Sequence, residues 1–245
     1  MQASLRFLTP LLLALLTLAS CDHEPPEEVR MSLSVRYTLN GAPLSLGNPV
    51  HTSEDGLTYQ IDDFKLYLSN FQLTSGTTTF AEPNSYHLIS TSQRFIDVDN
   101  IPLEALGTFQ FSIGVDSAAN ASLDAPGDLN PSNDMAWNWN TGYKFLLLEG
   151  QIQTDSTPAP LVYHIGGNAN YTTLSIPLNL DLDYVPSDFF DIELTLELGE
   201  LFRNPNTIAL GEANVVQFEP TAELVAENWQ TGFVKAGFID WWREE

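Results

Sequence analysis

Two tryptophans one residue apart, Trp137 and Trp139, and a histidine ahead of a glycine pair, His164-Ile165-Gly166-Gly167, are the residues here whose types and spacing invite chemistry. In an extended backbone, residues i and i+2 share a face, so both indoles would point the same way. Such a pair either plugs the end of a β-sandwich as core or leaves an indole free to act as a functional group. His164 follows the apolar run Leu161-Val162-Tyr163, and the glycines after it let the backbone approach another group closely. It reads as a hydrogen-bonded core histidine or as a ligand.

A second candidate is the polar segment before the tryptophans. Asp128, Asn130, Ser132 and Asp134 carry side-chain oxygens at alternate positions, a spacing suited to a hard cation such as calcium. The segment lacks the glycine and terminal glutamate of an EF-hand loop, and Asx turns with backbone capping account for the same residues. There is no Gly-x-Ser-x-Gly, phosphate loop, zinc-protease helix or dinucleotide fingerprint, so the chain is expected to bind rather than to catalyse.

The sole cysteine, Cys21, ends the run Leu18-Ala19-Ser20-Cys21 behind Arg6 and a short apolar stretch. This is the pattern of a lipoprotein signal, with residues 1–20 removed and Cys21 acylated. Residues 21–30, acidic and proline-bearing, read as a tether, and 31–245 as one domain. The expected location is the cell envelope, on the periplasmic side or the outer-membrane surface, held to the membrane by lipid. Lys plus Arg total 9 against 32 for Asp plus Glu, a net charge of −23, which argues against a nucleic-acid partner.

The elements that must position these residues read as strands. Met31 to Leu39 alternates apolar and polar residues and ends in the turn Asn40-Gly41. A short strand at Leu57 to Ile61 precedes Phe64, Leu66 and Leu68, and a shift of parity to Phe71 and Leu73 predicts a bulge near Ser69-Asn70. Further strands are expected at 86–89, 95–98 and 109–115, from Trp137 to Ile152, at 174–182 with Pro177 marking an edge, and at 190–198 with Asp191, Glu193 and Glu197 outward. Thr221 to Trp229 has helical spacing behind a threonine cap, and Trp241-Trp242 close one end of the sandwich. The expected fold is all-β, an antiparallel β-sandwich with long loops and a short C-terminal helix.

Several segments in order carry a resemblance: Tyr59-Gln60-Ile61 with Lys65 to Asn70, Ile113-Gly114-Val115-Asp116, Trp137-Asn138-Trp139-Asn140-Thr141-Gly142-Tyr143-Lys144-Phe145 with Glu149-Gly150, and Tyr163 to Gly167. Over about 31–218 the chain resembles the MbnP-like proteins, a methanobactin-associated family of periplasmic copper-binding proteins. The resemblance implies a secreted β-sandwich in which a tryptophan, oxidised to kynurenine by a di-haem cytochrome c peroxidase-like partner, holds copper together with histidine. The matching positions are Trp137, then Trp139, for modification and His164 as imidazole ligand. Where some relatives have a histidine two residues after the modified tryptophan, this chain has Trp139, so a tight site would recruit His51, His87 or a carboxylate. The rival reading is a cell-surface β-sandwich that docks a glycan or protein on exposed tryptophans without a transition metal.

Overall fold

A computed structural model describes residues 26–47, 51–137, 142–217 and 220–242. Cys21, with the expected signal and most of the tether, and Trp139 lie outside the described residues. The strands are β1 (Glu28–Leu39), β2 (Ala42–Pro43), β3 (His51–Thr52), β4 (Thr58–Ser75), β5 (Thr78–Ala81), β6 (Tyr86–Ser90), β7 (Phe95–Pro102), β8 (Thr108–Ile113), β9 (Lys144–Ile152), β10 (Ala159–Gly166), β11 (Thr172–Pro177), β12 (Phe189–Glu197), β13 (Val215–Val216) and β14 (Val234–Trp241). One α-helix, α1 (Pro220–Asn228), stands before β14.

They form two sheets, and the fold is sandwich-like as expected. In the smaller sheet β1 pairs with β12 on one side and with β7 and β2 on the other, and β14 flanks β12. The odd-numbered residues of β1 from Val29 to Leu39 are all buried, and Tyr37 meets Phe64 of the other sheet edge-on at 5.5 Å, so one core fills the space between the sheets. The sheets are not purely antiparallel. β1 runs parallel to β12, and β10 parallel to β13.

The larger sheet is built on β4, a single 18-residue strand where two shorter ones were expected. It stays continuous by absorbing two irregularities, one between Ile61 and Asp63 against β9 and one between Ser69 and Gln72 against β8. The second is the anticipated bulge, with Asn70 at φ 54. Each irregularity shifts parity, which returns Phe64, Leu66, Leu68 and then Phe71 and Leu73 to the core.

Three further details depart from expectation. Strand β1 begins at Glu28, inside the presumed tether. Strand β11 ends at Pro177, which faces Thr108 at the end of an edge strand, so Leu178 to Leu182 do not extend it. Glu197 is not outward but 3% exposed: its carboxylate accepts the N–H groups of Asn40 (2.7 Å), Gly41 (2.8 Å) and Gly199 (3.1 Å) and the hydroxyl of Thr38 (3.0 Å). Of the closing tryptophans, Trp241 is buried against Phe190 and Trp242 is 43% exposed.

Candidate functional site

The site lies where the larger sheet is split. Lys65 of β4 pairs with Leu147 of β9 and Ser90 of β6, and Leu68 pairs with Ile113 of β8 and His87 of β6. Since β6 occupies one edge of β4 from Lys65 to Ser69, β8 and β9 lie in tandem along the other. The chain leaves this edge at Gly114 and rejoins it at Lys144. Gly114 has φ +109, and a Cβ there would stand 2.5 Å from the ring of Phe145, so the exit requires glycine.

The segment between forms a roof over the outer face of β4. Tyr67 and Tyr143 donate their hydroxyls to the carbonyls of Asp128 (2.7 Å) and Leu129 (2.8 Å). Lys65 and Lys144 donate to the carbonyls of Asn133 (3.3 Å) and Asp134 (2.7 Å), at the end of the 3-10 turn Pro131–Asn133, where carbonyl dipoles favour a cation. The proposed calcium ligands serve this roof. Asp128 accepts the Leu88 N–H at 2.7 Å, Asn130 caps the turn by accepting the Ser132 N–H at 2.9 Å, and Asp134 adopts a left-handed conformation at φ 64. Ser132 contributes its backbone N–H to that cap. Among the described residues no three His, Cys, Asp or Glu side chains gather as a metal-binding group.

Trp137 hangs at the roof's edge. It is not part of a strand running to Ile152: Ala136 and Tyr143 form an isolated bridge, with Trp137 N–H donating to Gly142 O (3.1 Å) and Lys144 N–H to Met135 O (2.7 Å). The indole is 6% exposed. Its ring meets His164 edge-on at 6.3 Å and 64°, and Lys144 Nζ lies 6.0 Å from its centre. These three side chains, with Asp134 and Gln217, line a cleft of about 630 Å³. His164 comes from β10, opposite Leu147, and its Nε2 lies 2.7 Å from Glu149 Oε1. Burial, helped by the Lys144 charge and opposed by Glu149, holds the imidazole below its ordinary pKa, so it is neutral at neutral pH. Burial likewise lowers Lys144, against the charges of Glu149 and Asp134.

The other two candidate histidines, His51 and His87, do not join it. His51 faces Tyr59, six residues along β4 from Lys65, which in strand geometry is roughly 20 Å away from the row of His164. Among the described residues its buried Nε2 has no hydrogen-bond partner, and burial lowers its pKa. His87 sits opposite core-facing Leu68, so it belongs to the other face, where it packs on Phe71 and pairs with Glu82 at 2.8 Å. Sequence reasoning missed Glu149 and Lys144 as members of the site. The antiparallel register of β9 and β10 could have found them, because it brings Glu149 and His164 to one face.

The sequence profile of the MbnP family matches residues 28–218. The chain belongs to the MbnP family. The match begins at residue 28, the first residue of β1. Among solved structures the chain is similar to MbnP from Methylosinus trichosporium, with a TM-score of 0.52 and 16% identity over 73% of this chain and 79% of that one. At that identity the likeness speaks for the fold. No curated protein matches the chain. The MbnP match stops before α1 and β14, although β14 completes the smaller sheet beside β12.

Proposed function

We propose that this MbnP-family protein binds and retains copper in the cleft beside Trp137, with His164 as the imidazole ligand and an oxidised Trp137 as its neighbour. The observation that carries this reading is the edge-on contact of Trp137 and His164 at 6.3 Å in a cleft under the roof. An intact indole is a poor ligand because its nitrogen lone pair belongs to the π system. Opening the ring to kynurenine would free an aniline nitrogen on a side chain whose ring centre lies 6.3 Å from that of the imidazole. A neutral imidazole and one further nitrogen suit Cu(I), which accepts few ligands, and the lack of a larger cluster among the described residues is compatible with so small a set. His51 and His87 play no part in it.

This function is retention, without turnover by the chain itself. The oxidation of Trp137 requires a separate oxidising enzyme, of the di-haem cytochrome c peroxidase type that the family resemblance implies. Acylation of Cys21 would keep the protein at the cell envelope. Among the described residues no helix is long and apolar enough to cross a membrane. The rival docking platform requires exposed tryptophans away from histidine, whereas Trp137 is 6% exposed with His164 against it.

The test is peptide mass spectrometry with metal analysis on protein from its native host. Loss of one carbon and gain of one oxygen at Trp137, with copper bound, supports the reading. Intact tryptophan and no copper overturns it.

A further inference from the structure

We infer that Glu149 is a positioning residue, holding His164 in the tautomer protonated on Nε2 and leaving Nδ1 as the nitrogen that meets the metal. The metal half of this inference rests on the copper reading above, whereas the tautomer half rests on geometry alone.

Glu149 and His164 stand on neighbouring strands. Glu149 faces Val162 and Leu147 faces His164, so the two are diagonal neighbours on the outer face of the larger sheet, within reach of long side chains. Their contact, Nε2 to Oε1 at 2.7 Å, has the length of a charge-assisted hydrogen bond. A carboxylate only accepts, so the proton between them belongs to Nε2. A neutral imidazole has one N–H, and its lone pair is then on Nδ1. The cleft is lined by His164 and Trp137 but not by Glu149, so the Nε2 edge is committed to a residue outside it.

The fold also keeps this pair in place. The histidine side chain is 13% exposed, and the Trp137 ring against it hinders a flip. Glu149 faces Asp63 just beyond the irregularity at Ile61, and at the next position Gly150 lies so close to Gln60 that a Cβ would collide with that residue's carbonyl. β9 is thereby pinned to β4 beside the glutamate. A metal-binding histidine whose other nitrogen donates to a carboxylate is oriented before the metal arrives, and losing such a partner weakens metal binding by about 10- to 100-fold.

The experiment uses the mature chain from its native host, isotopically labelled and stripped of copper, with long-range proton–nitrogen NMR of the imidazoles and Cu(I) titration by a competing chelator. We expect a protonated Nε2 and a bare Nδ1 at His164 in the native protein. Glu149→Ala should mix the tautomers and weaken Cu(I) about 10- to 100-fold. Glu149→Gln, whose amide oxygen still accepts from Nε2, should keep the tautomer and most of the affinity. A proton on Nδ1 in the native protein, or an unchanged tautomer in Glu149→Ala, overturns the inference. The expected tautomers with no copper binding in any form would overturn the copper reading and its metal half, leaving Glu149 as the anchor of the ring.

Discussion

A Cβ placed on Gly166 would stand 3.1 Å from Nε1 of Trp137, and it would also meet the carbonyl oxygen of Tyr143. The Tyr143 carbonyl, the nearer of the two, and the indole together occupy the space that any other residue at 166 would claim. Gly166→Ala should push the indole outward and cost about 1–3 kcal/mol, the usual range for overpacking. Urea denaturation and tryptophan fluorescence check this, and an unchanged midpoint and spectrum would show that the contact is not needed. Gly167, with φ +92, ψ 140 and open space around its Cβ position, is the comparison: alanine there touches nothing and should leave the fluorescence unchanged, while backbone strain alone costs about 1–3 kcal/mol.

Acid should loosen the smaller sheet through Glu197. Burial alone would raise this carboxyl, but the N–H groups of Gly41, Asn40 and Gly199 and the hydroxyl of Thr38 outweigh it and hold the pKa below its ordinary value of 4.5. A carboxylate whose pKa falls on folding stabilises the fold fully above the unfolded value, and that stability is lost as pH drops through the folded one. Melting temperature should therefore fall below about pH 4.5. Glu197→Ala, which strands three N–H groups, should lose about 3 kcal/mol at neutral pH and flatten this part of the profile. A variant as acid-sensitive as the native protein would assign the effect to other groups.

Chelation should leave stability untouched. Asp128 already accepts from Leu88 and Asn130 from Ser132, so the segment has no need of a cation to hold its shape. Thermal melts with excess calcium and with a calcium-selective chelator should coincide. A higher melting temperature with calcium would establish a calcium site in the roof.

Tyr67→Phe removes the hydroxyl that ties the roof to β4 through Asp128 while leaving the buried ring. The expected loss is about 1 kcal/mol, read as a small drop in the denaturation midpoint. Hydrogen exchange should quicken in the roof at 127–134 while the strands of the smaller sheet keep their rates. Uniform acceleration would mean that roof and sheets open together.

Alternation made most of the strands legible: buried Val29 to Leu39 and Phe190 to Leu196 follow a period of two, and the parity shift at Ser69-Asn70 marked a real bulge. What stayed hidden depends on distant neighbours. Glu197 has the parity of a wet residue, and the hairpin at Asn40-Gly41 folding over it supplies two of its donors, beside those of Thr38 and Gly199. No local pattern reports that β1 lies parallel to β12, nor that β8 and β9 share one edge of β4. Trp137 reads as strand because Trp-x-Trp shares a face in an extended backbone, yet Ala136 and Tyr143 pair antiparallel and the strand begins only at Lys144. Trp137 and His164 stood out by residue type and by family likeness, whereas Glu149 acquires its role from cross-strand register alone.

The pairing of β1 with β12 sets the order in which this chain can fold. Arg36 and Glu193, ion-paired at 2.5 Å, are 157 positions apart, and every rung of that ladder closes a loop of similar length. Contacts so remote in sequence form slowly, because chain entropy is lost before they return anything. During synthesis β1 emerges early and then waits for β12, with β2 and β7 pairing one edge and the other edge left open. A chain halted before Phe189 would thus carry an open strand edge of the kind that recruits other chains into aggregates.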